Sequence, residues 1–151
     1  MKYQWRWSAI AALLLCGTIL MNRVSVAGEL LRVAFCTLIE NFQEYDKTEI
    51  STEALIWSSG HEVHVKNPNC PSTSNNDRSA SIELPNGWNS NKLGRRLSKI
   101  LRHDGIAKVT FEGVFQSSDG PYGPEKSRFH FVLRRLVSVQ EFSTHSANWA
   151  R

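Results

Sequence analysis

His61 and His64 stand three residues apart in HEVHVK, with Glu62 between them. On a helix that spacing would put both rings on one face, as metal ligands often are. On a strand, an odd spacing sends them to opposite faces. The surrounding residues alternate, so a strand is expected, with one histidine near the interior and one exposed. The two rings then cannot share an ion, and the expectation is no metal and no cofactor. His103, His130 and His145 have no nearby Ser or Cys with a helper carboxylate in a recognisable nucleophile setting. Glycine-rich phosphate loops are absent. Glu49, Glu53, Glu62 and Glu83 could supply the paired carboxylates of a hydrolase, but all fall on the solvent sides of expected strands, where charge is ordinary. No catalytic residue is assigned.

Two other features could meet a partner. Lys92, Arg95, Arg96, Lys99 and Arg102 form a basic patch with no acidic residue before Asp104. A solvated helix face explains it, and so would a contact with anionic lipid headgroups or a related polymer. The run QSSDGPYGPEKSRFHF, 116–131, is a polar stretch with two proline turns and one tyrosine ahead of an alternating aromatic segment. Either Tyr122 folds back to cover one end of the fold while Pro121 and Pro124 stiffen a long hairpin, or Tyr122 edges a recognition surface.

The elements that would position these residues follow from periodicity. ELLRVAFCTLIENFQ, 29–43, places Leu30, Val33, Ala34, Leu38 and Phe42 at helical intervals. KTEISTEALIW alternates Ile50, Thr52, Ala54 and Ile56 against Glu49, Ser51, Glu53 and Leu55, which predicts a strand. HEVHVK and SASIEL are two more. Leu93, Leu97, Ile100 and Leu101 then form one apolar helical stripe, capped by Asn89 or Ser90 and closed by Gly105. IAKVTFEGVF and RFHFVLRRLVSV are the last strands, with a bulge expected at Arg134-Arg135.

The N-terminus reads as an export signal. Lys2 and Arg6 precede an uncharged run from Ser8 to Met21, too short to span a bilayer, and Ser25-Val26-Ala27 suits cleavage after Ala27. An uncleaved anchor is the alternative. Over the whole chain 18 basic residues face 14 acidic ones, a net charge of +4. Lys2, Arg6 and Arg23 belong to the leader, so the mature chain is close to neutral. Nucleic acid is therefore an improbable partner. Cys36 and Cys70 survive cleavage, and an even pair in an exported chain favours a disulfide, worth about 3–4 kcal/mol for a loop of about 33 residues.

The order is therefore helix, three strands, helix, two strands: mainly β with two helices. Five short strands curled into an OB-like Greek-key barrel, with a helix between the third and fourth, would bury one face and leave no open edge. An α+β sandwich is the alternative. The domain is expected over 28–140, after a signal peptide over 1–27 and before an irregular tail over 141–151.

Residues 35–71, with FCTLIENFQEYDK and GHEVHVKNPNCP, and 108–139, with GPYGPEKSRFHF, loosely resemble small exported bacterial proteins of unknown function. In that group a Tyr-Asp-Gly-Lys turn follows the first cysteine, the second follows Asp-Pro-x, and a Gly-Tyr-Gly-His loop precedes the last strand. Here Lys47 directly follows Asp46, Asn67 replaces the aspartate and Pro124 the histidine. The resemblance implies a fold and an envelope address, and no reaction.

The functional expectation is an exported binding module of the bacterial envelope, periplasmic or envelope-associated. Its face would be edged by Trp57 and Tyr122, with His64, Lys66 and Glu83 between them, and its partner an envelope protein, a glycan or anionic headgroups. The alternatives are a small hydrolase or metal-dependent enzyme built on His61 or His64 with Glu62, and a membrane-surface assembly factor.

Overall fold

A computed structural model describes residues 30–70 and 79–143. The expected signal peptide over 1–27, residues 71–78 and most of the expected tail over 141–151, with His145, lie outside the described residues. The elements are β1 (Leu31–Arg32), α1 (Phe35–Glu40), α2 (Phe42–Tyr45), β2 (Glu49–Ser58), β3 (Val63–Lys66), β4 (Ser79–Glu83), α3 (Lys92–Leu101), β5 (Ile106–Gln116) and β6 (Phe129–Phe142).

Alternation decides the sheet. Along β2, Ile50, Thr52, Ala54 and Ile56 are buried, while Glu49 and Glu53 face solvent. Along β5, Val109, Phe111, Phe115 and the intervening Gly113 share the inner phase. Antiparallel ladders run β4–β3–β2–β5–β6. β4 then joins β6 in parallel, from Ala80 opposite Phe129 to Glu83 opposite Val132, and closes the ring. This is a five-stranded, OB-like closed barrel, which leaves its five strands no unpaired edge.

Closure requires bends. A Cβ on Gly113 would lie 2.6 Å from the Val132 carbonyl oxygen, so only glycine allows the two backbones to approach here. Leu133, Arg135, Leu136 and Ser138 face Gly113, Glu112, Phe111 and Thr110. Arg134 and Val137 are thus both left out of the pairing, two bulges where the sequence signalled one. β6 also continues to Phe142, opposite Ile106, beyond its expected end.

Phe111, Phe115, Phe129 and Phe131 fill the interior. Phe131 meets Phe111 edge-on and Phe115 at a tilt, both at 5.2 Å between centroids, geometries that aromatic pairs favour. α3 lies between β4 and β5, as expected, and buries Leu97 and Ile100 while packing against β5 and β6. Its cap is Asn91, whose side-chain oxygen accepts from the Gly94 amide at 2.9 Å, one or two residues past the expected position. Asp104, at φ 51°, takes the left-handed position expected of Gly105. The short Asp side chain tolerates that region.

The N-terminal segment differs from expectation. No single helix covers 29–43. Leu31–Arg32 instead pairs in parallel with Ile50–Ser51, and the Val33 amide donates to the Ser51 carbonyl at 2.9 Å. Two short helices follow, so the described residues hold three helices, where the sequence suggested two. The helical spacing placed Leu30 and Ala34 in the stripe; packing selects Val33, Phe35 and Leu38. Cys36 and Cys70 form a disulfide with Cα atoms 5.1 Å apart.

Candidate functional site

Strand register places one residue from each of five strands in a row on the barrel's outer wall. Trp57 pairs with His64, His64 with Ser81, Ser81 with His130, and His130 with Gln116. Trp57 and His64 stack with centroids 5.2 Å apart. Ser81 Oγ and His130 Nδ1 are 2.7 Å apart.

The 117–128 connection folds over this row. Asp46 anchors its start, one carboxylate oxygen accepting from the amides of Ser117 (2.7 Å) and Ser118 (3.2 Å) and from the Ser117 hydroxyl (3.1 Å). Tyr122 and Ser127 exchange two backbone hydrogen bonds of 2.8 Å and form the tip. The Tyr122 ring stacks on His130, centroids 5.0 Å apart, and its hydroxyl accepts from the Asp119 amide at 3.0 Å. Further along, Glu125 Oε2 reaches His64 Nε2 at 3.2 Å, and the Glu125 amide donates to Glu62 Oε2 at 3.2 Å. The segment is a fixed part of the wall.

Coverage by this segment sets the burial of the histidines. His64 is only 4% exposed although it points away from the interior, whereas His61 is exposed in the preceding turn. His130 also faces outward, and burial pushes its pKa below the ordinary histidine value, opposed by Glu83, whose Oε2 lies 3.7 Å from its Nε2. The ring's other nitrogen, Nδ1, is the one within hydrogen-bonding distance of the Ser81 hydroxyl.

Ser81, His130 and Glu83 follow the order of a nucleophile, a base and an orienting carboxylate. Ser81, however, is 1% exposed, closed off by strand neighbours, and a nucleophile must reach its substrate. The Ser81–His130 bond is a satisfied internal contact between β4 and β6.

Of the residues singled out in the sequence, Trp57, His64, Glu83 and Tyr122 are brought to one wall, with Lys66 at the end of β3 on the same side as His64. Trp57, Lys66 and Tyr122 are half-buried and Glu83 is exposed. The sequence did not single out His130, Ser81 or Glu125. Alternation between Phe129 and Phe131 already places His130 outward; what it does not report is the Tyr122 ring against it. Glu125 carries no local signal.

The basic patch lies elsewhere. Lys92, Arg95, Arg96, Lys99 and Arg102 are all exposed on or beside α3. Among the described residues, none has a carboxylate partner at ion-pair distance. A third feature, unanticipated, is an open groove of about 430 Å³ along the outer side of β2, lined by Glu53, Leu55, Asn67, Pro68, Lys108 and Phe142. Glu53 and Lys108 pair within it at 2.9 Å.

No helix among the described residues is long and apolar enough to cross a membrane. No family model, curated protein or solved structure matches the chain. The architecture and the site geometry therefore carry the functional argument.

Proposed function

We propose that this protein is an exported binding module whose recognition surface is the outer wall from Trp57 to Tyr122. The supporting observation is the pair of stacked units, Trp57 on His64 and Tyr122 on His130, set side by side through Ser81. Half-buried rings at both ends of a polar row offer flat apolar contact and hydrogen bonding together, which suits a glycan or a short peptide. The Cys36–Cys70 bond agrees with an oxidising compartment, and the N-terminal pattern with export.

The test is a panel of envelope glycans and short peptides titrated while backbone amide shifts are followed. Shifts should concentrate at Trp57, His64, Ser81, Tyr122 and His130. Trp57→Ala should weaken binding at least about tenfold, a typical loss for an aromatic anchor. Binding that maps to the β2 groove or to α3, and survives Trp57→Ala, would show the face assignment to be wrong.

The exposed cations of α3 favour a second reading, a contact with anionic headgroups. Replacing Lys92, Arg96 and Lys99 by Glu in the full chain should reduce cosedimentation with phosphatidylglycerol vesicles at low salt. High salt should erase the difference, because screening shortens the reach of exposed charges. Equal sedimentation of both proteins at low salt would reject the contact.

A further inference from the structure

Glu62, His64 and Glu125 bring one imidazole nitrogen and two carboxylates together, their ligating atoms all within 4.8 Å of one another. Glu62 comes from the turn before β3, His64 from β3, and Glu125 from the tip of the 117–128 connection. His64 Nε2 and Glu125 Oε2 stand 3.2 Å apart. Two donors each about 2.0–2.1 Å from a tetrahedral zinc ion are about 3.3 Å apart, so this pair already has the separation an ion would impose.

The ring is held for such a task. His64 is 4% exposed, stacked against Trp57, with Nε2 directed at Glu125 and at the Ser59 hydroxyl 3.4 Å away. Glu62 is held too: its Oε2 accepts from the Glu125 amide, and its carboxylate fills the space where a side chain on Gly123 would begin. An ordinary ion pair would need only Glu125. A second carboxylate within 4.8 Å of the first and of the ring adds repulsion, which a cation between the two removes. Glu125 is half exposed, which leaves an approach from solvent.

We propose that Glu62, His64 and Glu125 hold one divalent transition-metal ion of the zinc type, with water completing its shell. The imidazole disfavours magnesium and calcium, which prefer oxygen donors throughout. Such an ion clips the 117–128 connection to β3, whether or not the neighbouring wall takes an organic ligand.

The experiment strips the purified protein with a chelator and titrates it with zinc chloride, reading bound zinc by elemental analysis and heat. One zinc per chain is expected, with affinity falling at least about tenfold in Glu62→Gln and in Glu125→Gln, the scale of losing a ligand or its support. His103→Ala, remote on the α3 side, should bind as the parent does. Cobalt in place of zinc should give the intense visible bands of a tetrahedral site. Thermal unfolding in chelator should be the same for the parent and both Gln variants, separating ligand loss from unfolding. The proposal is overturned by no zinc uptake, by undiminished uptake in the double Gln variant, or by dependence on Glu125 alone.

Discussion

Asp46 fixes the start of the wall segment with a single oxygen. The Ser118 hydroxyl, then the Ser117 amide, hold its carboxyl below the ordinary aspartate value, and partial burial opposes them. A carboxyl whose folded pKa is depressed contributes stability that is present above its unfolded value, near 3.8, and is lost as pH falls through the lower folded value. Local opening of residues 117–118 should therefore increase only in acid. Asp46→Asn should remove that dependence and speed amide exchange at Ser117 and Ser118 about tenfold at neutral pH, since charged acceptors make the stronger bonds. Exchange mass spectrometry resolves this segment, and unchanged protection there would refute the anchoring role. The nearby Lys47–Asp119 pair, largely exposed on both sides, should contribute little, as surface pairs generally do. At the other end, Gly123 has φ 68° and the Glu62 carboxylate against it. Both facts demand glycine, so the loop's shape and the position of Glu62 are one constraint.

Elements were legible in the sequence wherever one face meets the core. Ile50 through Ile56 and Val109 through Phe115 alternate because the barrel interior admits apolar groups on one side only, and α3 announced itself by Leu93, Leu97 and Ile100 for the same reason. The N-terminal segment was not legible. Its apolar residues match a helical stripe, yet Leu31 is exposed and pairs through its backbone with β2, a contact that leaves no side-chain pattern. The Val137 bulge was hidden likewise: one extra residue after Leu136 shifts the phase without changing composition. His64 shows the limit most clearly. Period two correctly put it outside the barrel, and outside implied solvent. Its burial comes from Trp57 across one ladder and from Glu125, some sixty residues onward, and no local pattern reports what a distant loop will cover. The aromatic edge of the candidate site was therefore readable, and its acidic partner was not.

At the scale of the molecule, the barrel closes through backbone ladders alone, and the segment from β1 to α2 sits outside that ring. Among the contacts that attach it are the short parallel pairing of β1, the burial of Leu38, the rings of Phe35 and Phe42 against Phe131 and Phe129 at 6.1 and 5.6 Å, and the Cys36–Cys70 bond. The bond joins cysteines 34 positions apart, and the loop between them includes all of β2 and β3. It therefore restricts the unfolded chain more than it shapes the folded one, at about 3–4 kcal/mol in the loop-entropy account. Domains of this size have about 5–15 kcal/mol in total. Cys36→Ala with Cys70→Ala should thus leave a folded barrel whose unfolding midpoint is lower by roughly 10–15 °C, measurable by circular dichroism. Reductant should bring the parent protein to the same midpoint and leave the variant unmoved. Amide protection should fall first in α1 and around Cys70, and least along the β5–β6 ladder, which needs no covalent help. A parent protein indifferent to reductant would mean that packing of Phe35 and Leu38 alone secures the segment. The bond would then tie down a region already held.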